Sequence, residues 1–169
     1  MTESWPAATL GNIARLRVLA EALPGTVIEE RVIDAPYERL WPLVTDLESS
    51  VPSFDTDVRK IKMIRRDGER LIFWGFASWR WLGLPGRFAA EIGDGFCWMY
   101  TQGYVVGMAA VPEGDRTRFA HMEGFHFRGP RWMQFLLRPL ARASRWRHRY
   151  HVPADVDGIE RCLGLRPAR

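Results

Sequence analysis

The chain has 169 residues, 47% of them hydrophobic and 26% charged, with 24 Lys plus Arg against 20 Asp plus Glu and a net charge of +4. That composition describes one globular domain with enough apolar material for a sizeable core. The positive surplus is modest and almost wholly arginine, Lys60 and Lys62 being the only lysines, so nucleic acid is not expected as a partner. No low-complexity tract or internal repeat is present. Glu3, Arg15, Arg17 and Glu21 interrupt the apolar residues of the first 23, so neither a signal-peptide core nor a membrane span is expected there. Cys97 and Cys162 are far apart and unpatterned, which fits two idle thiols in a reducing cytoplasm.

Residues 7–23 predict a first helix with Leu10, Ile13, Leu16, Ala20 and Leu23 on one face, ended by Pro24-Gly25. Thr26 to Asp34 is β-branched and reads as a strand. Pro36 and Glu38 suit a helical first turn, and Leu40, Trp41, Leu43, Val44 and Leu47 give that helix its buried face. Residues 48–54 form a turn-rich exit with room for one more helical turn. A meander of six strands follows, over 58–65, 70–79, 87–92, 96–102, 104–111 and 116–127, separated by turn signals such as Asp67-Gly68, Asp94-Gly95 and Glu113-Gly114-Asp115.

The end of the chain predicts an amphipathic helix over 131–151. Trp132, Phe135, Leu136, Leu140, Ala143, Trp146 and Tyr150 recur every three or four positions and form the face expected to be buried. Arg131, Arg138, Arg142, Arg145 and Arg149 share a flank away from it, and Arg147 projects into the apolar arc. A solvated face is the expected meaning of the arginine stripe, with a weak contact to an anionic membrane surface as its alternative. Pro139 predicts a kink, or a short helix before it and the main helix from it, and Pro153 predicts a break or bend before a last helical piece over 154–163.

Seven strands curling round a helix at the end of the chain make an α+β domain of the helix-grip kind, with residues 1–25 as a helical extension and 26–169 as the ligand-binding domain. The Val32-Ile33-Asp34-Ala35-Pro36 start, the Glu38 to Trp41 helix, the Thr45-Asp46 exit, the Gly114 to Arg118 turn and the amphipathic end helix together resemble the START/Bet v 1-like (SRPBCC) superfamily, particularly its polyketide cyclase/dehydrase-type members. The resemblance covers residues 26 to 163. It implies an apolar cavity between the concave side of the sheet and the end helix, open at one end, and it carries no invariant catalytic set.

Alternation along the last strand puts Thr117, Phe119, His121, Glu123, Phe125 and Phe127 on its more apolar, inner face. His121 and Glu123 then lie within hydrogen-bonding reach, as a workable acid–base pair or as a polar patch that satisfies itself or Arg147. Phe73, Trp79 and Trp81 share one parity of their strand, and Phe96, Trp98 and Tyr100 one parity of theirs. If these are the inner sets, their rings line a cavity suited to a polycyclic, polyketide-like or acyl ligand. The ligand-binding candidates are therefore Phe73, Trp79, Trp81, Trp98, Tyr100, Phe119, Phe125 and Arg147. His126 falls on the opposite strand face. His148 and His151, spaced i, i+3, lack a visible third ligand, so no metal and no cofactor is expected.

Three functions compete. The first is a binder of a small hydrophobic ligand, favoured because no catalytic motif appears. The second is a cyclase/dehydrase or aromatase-type enzyme in which His121 and Glu123 move protons while Arg147 or Tyr100 steadies an oxyanion. The third is an interaction protein that docks through the first helix and the arginine stripe.

Overall fold

The computed structural model describes residues 10–78 and 82–167. Its elements are α1 (Asn12–Ala22), β1 (Thr26–Ile33), α2 (Tyr37–Thr45), α3 (Val51–Phe54), β2 (Val58–Asp67), β3 (Arg70–Ala77), β4 (Pro85–Gly93), β5 (Phe96–Tyr100), β6 (Tyr104–Glu113), β7 (Arg116–Phe125) and α4 (Arg131–Cys162). The strands form one curved antiparallel sheet in the order β1-β7-β6-β5-β4-β3-β2. Strands β2 to β7 are the expected meander. Its Asp67-Gly68 and Asp94-Gly95 turns place glycine at φ 59 and 65, where a Cβ would be strained. β1 closes the far edge by pairing with β7, Glu29 opposite His121 and Val27 opposite Glu123.

Each face of the sheet carries its own core. On the inner face, α2, α3 and the C-terminal part of α4 bury Leu40, Val44, Phe54, Phe73, Met108, Phe119, Val156 and Ile159. On the outer face, α1 buries Ile13 and Leu16 against Phe96, Val105, Ala109, Ala120 and Met122. Gly107 permits that contact, because a Cβ there would sit 2.5 Å from Leu16 Cδ1. α1 therefore supplies a core of its own on the outer face.

The last helix runs unbroken through both Pro139 and Pro153. It departs from expectation in the face it buries. The face expected to be buried is exposed: Trp132, Phe135, Leu136, Leu140, Trp146 and Tyr150 all stand in solvent, Trp146 at 70%. The inner face instead carries Ala141, His148, His151, Val152, Asp155, Val156 and Ile159. Hydrophobic periodicity locates a stripe, but exposed apolar surface is ordinary, so the stripe alone does not say which side meets the sheet. Here the small and titratable residues do. Among the described residues, no helix is long and apolar enough to cross a membrane.

Candidate functional site

Between the inner sheet face and α3 and α4 lies a cavity of about 370 Å³. Its walls are apolar: Phe54, Ile61, Phe73, Phe88, Met99, Val106, Met108 and Phe125 among others. Phe73 and Phe88, on paired strands, stack with ring centroids 5.2 Å apart. Its floor is polar. Asp55 and Asp57 follow α3, His121 and Glu123 stand on β7, and His148 and His151 point in from α4.

Alternation places the β7 residues as expected: Phe119 is fully buried in the inner core, and His121, Glu123 and Phe125 line the cavity. Strand β5 is the correction. Phe96, Trp98 and Tyr100 occupy its outer parity under α1, and Cys97 and Met99 its inner one. The outer rings border a separate groove of about 580 Å³, with the Arg15 guanidinium 3.9 Å over the Phe96 ring and that of Arg128 4.2 Å over Tyr100. Trp79 and Trp81 lie outside the described residues. Arg147 is half-buried and bonds Asp57. His126 borders the outer groove, on the face opposite His121.

The floor gathers more charge than sequence reasoning supplied. His121 Nε2 lies 3.2 Å from Glu123 Oε1 and 3.7 Å from Asp155 Oδ2. His151 Nε2 is 3.2 Å from Asp155 Oδ2, 3.3 Å from Glu123 Oε2, and 3.6 Å from both Asp55 Oδ1 and Asp57 Oδ2. Tyr104 donates its hydroxyl to Glu123 Oε2 at 2.8 Å. Despite this crowding, His151 Nε2, His121 Nδ1 and both Asp155 oxygens are buried without a properly angled hydrogen bond. The separations are those of ion pairs; the angles are not those of hydrogen bonds.

These surroundings pull the acids apart. Burial works against charge on every group here, yet the imidazoles of His121 and His151 outweigh it at Glu123 and hold that carboxyl well below its usual range. Burial and the neighbouring negative charges push Asp55 well up, and burial, partly offset by His121, raises Asp155 to about 6. At His121 and His151 burial is overcome by the carboxylates, which lift the rings to about 10 and about 9. Burial and charge thus pull neighbouring groups at one buried spot in opposite directions.

No protein-family model matches the chain, and no curated protein matches it. Solved structures do. TTHA0849 from Thermus thermophilus aligns over 84% of this chain and 99% of its own, with TM-score 0.58 and 24% identity. The Zhui aromatase/cyclase from Streptomyces sp. R1128 aligns over 82% and 94%, with TM-score 0.58 and 11% identity. A truncated norcoclaurine synthase from Thalictrum flavum aligns over 84% and 94%, with TM-score 0.56 and 14% identity. The chain has the START/Bet v 1-like fold. Its cavity lies between sheet and end helix, with the polar floor at one end.

Asp55, Asp57, Tyr104 and Asp155 were missed in the sequence. Asp155 had a signal: His148, His151 and Asp155 stand at i, i+3 and i+7, on one helical face. Asp55 and Asp57 had none, because only the packing of α3 on α4 brings them there.

Proposed function

We propose that the chain binds a small hydrophobic ligand in the cavity between sheet and end helix, in a cytoplasmic setting, with a polar group of the ligand turned to the floor. The observation that carries this reading is the pairing of an apolar wall with one polar end in a cavity of about 370 Å³, within the range usual for small-molecule sites, about 300–1,000 Å³. Uptake of an apolar fluorescent probe tests it. Val106→Trp narrows the inner wall and should cut uptake severalfold, while Trp98→Ala, on the outer face, should leave uptake unchanged. Equal uptake by the parent and Val106→Trp would sink the reading. Native mass spectrometry of freshly purified protein would give the mass of a co-purifying ligand.

A second reading, an acid–base enzyme of the cyclase/dehydrase type, is favoured by the floor itself. Neighbouring acids pulled in opposite directions are how one site offers a proton donor beside a base. In that reading Glu123 and His121 exchange protons with a carbonyl-bearing ligand. Glu123→Gln then keeps the shape and uptake but ends turnover of the co-purified molecule, whereas in a pure binder no turnover exists to lose.

A surface reading rests on a different observation. The exposed Trp132, Phe135, Leu136, Leu140, Trp146 and Tyr150 run beside the exposed Arg138, Arg142, Arg145 and Arg149 on α4. We infer that this face makes a weak contact with an anionic membrane surface, since aromatic and aliphatic groups beside a basic stripe suit the headgroup boundary. Flotation with phosphatidylglycerol-containing vesicles, but not with pure phosphatidylcholine, is expected, with loss in Phe135→Ser/Trp146→Ser. Dimerisation without flotation would assign the face to a second copy instead.

A further inference from the structure

We propose that Asp55, Glu123, His151 and Asp155 form a binding site for one divalent transition-metal ion of the zinc, manganese or iron(II) class, at the floor of the cavity. The four residues are all buried, and one donor atom from each lies within 4.8 Å of the others. Around His151 Nε2 the spacing is tighter: Asp155 Oδ2 at 3.2 Å, Glu123 Oε2 at 3.3 Å and Asp55 Oδ1 at 3.6 Å. Donors around a tetrahedral ion with bonds of about 2.0–2.1 Å stand about 3.4 Å apart, so these distances are those of adjacent ligands.

Hydrogen bonding does not account for the cluster. A single imidazole N–H cannot serve three carboxylates at once, and here it meets none of them at a bonding angle. Asp155 is fully buried, and neither of its oxygens has a hydrogen-bond partner. A polar group so placed is costly unless something compensates it. A dication would meet His151 and Asp155 together and neutralise carboxylates that otherwise repel. His121, beside Glu123 and Asp155, would act as an outer partner that orients them.

The donor set selects the class of ion. One imidazole with three carboxylates lacks the thiolates that favour copper(I) and differs from the all-oxygen cages of calcium. Asp55, Glu123 and His151 border the cavity, and Asp155 stands behind them. An ion there would therefore keep one side open toward a ligand oxygen. This inference concerns the floor alone and stands whether or not the chain takes an apolar ligand.

The test uses the full chain, stripped with a chelator, desalted, incubated with Zn²⁺ or Mn²⁺ alone, desalted again and analysed for metal. One equivalent should be retained, with a raised melting temperature. The near-isosteric Asp155→Asn and His151→Gln should lose about tenfold or more in affinity, and His126→Ala, remote from the floor, should bind as the parent does. No metal retained by the parent, or equal retention by both floor variants, would overturn the proposal. Should a floor variant fail to fold, Mn²⁺ titration of the parent decides the matter by histidine-ring NMR: the His121 and His151 signals should broaden ahead of His126, and uniform broadening or none counts against the site. Probe uptake by the stripped protein separates this question from ligand binding.

Discussion

The Tyr104 hydroxyl donates to Glu123 Oε2 at 2.8 Å, and that proton fixes how the neighbouring histidine is used. His148 gives Nδ1–H to the Ser144 carbonyl at 2.9 Å, and burial keeps its ring below the usual histidine range, so its bare Nε2, 3.2 Å from the same hydroxyl, receives no proton while that hydroxyl's only one goes to Glu123. Tyr104→Phe removes the donor to Glu123. We expect a loss of about 1–3 kcal/mol in denaturant unfolding, the usual cost of leaving a buried acceptor short of its bond. Unchanged stability would mean that the histidines alone satisfy Glu123.

Placement on α4 gives an opposite pair of outcomes. Phe135→Ser and Trp146→Ser alter exposed groups, 69% and 70% accessible, and should change stability by no more than about 0.5 kcal/mol. Ile159→Ala empties a fully buried position and should cost about 2–5 kcal/mol. Thermal melts of the three variants check the assignment of faces, and a large loss at Phe135 or Trp146 would return that face to the core.

The contrast shows where sequence reading succeeds. β7 is buried on both sides, Ala120 and Met122 lying under α1, but Phe119, Phe125 and Phe127 mark one parity as the more aromatic, and choosing it delivered His121 and Glu123 to the floor. On β5 both parities carry apolar residues, since the strand has a core on each side, and alternation cannot choose between Trp98 and Met99. On α4 the helix meets a charged floor, so its buried face is the less hydrophobic one. Asp55 reaches His151 only through tertiary packing, which no local pattern encodes.

The outer core makes α1 a stabilising element. Leu16 is fully buried, with the Cβ-free Gly107 beneath it. Leu16→Ala should cost about 2–5 kcal/mol. Removing residues 1–23 should leave a folded domain of lower melting temperature, with Phe96, Val105 and Met122 uncovered. A truncation that melts like the full chain would show that α1 contributes nothing there.

Burial pushes the Cys97 thiol up to about 12, whereas Cys162 is exposed. Alkylation requires the thiolate. Iodoacetamide at neutral pH should therefore modify Cys162 in the native protein and both cysteines only in denaturant, as read by mass spectrometry. The linkage has a definite sign. A folded pKa raised above the unfolded value leaves stability intact below about 8.5 and erodes it as pH climbs toward 12. Native labelling of Cys97 at neutral pH would contradict its burial.

Gly158 joins the helix packing to the floor. A Cβ at this position of α4 would sit 2.6 Å from the Phe54 carbonyl oxygen and 3.0 Å from Phe54 Cα, both backbone atoms that cannot swing aside. In an ordinary helix interior Gly→Ala stabilises by about 0.5–1 kcal/mol. Here the methyl must push α3 from α4, and overpacking of that kind costs about 1–3 kcal/mol. The sign should therefore reverse, with Gly158→Ala melting below the parent. Because Asp55 follows Phe54 directly, the same displacement carries its carboxylate away from His151, now 3.6 Å distant. Gly158→Ala should thus lose stability and weaken whatever the floor binds, although the substitution touches none of the floor residues. A variant that gains stability would show that α3 and α4 are free to separate, and that Asp55 is not held against His151 by their contact.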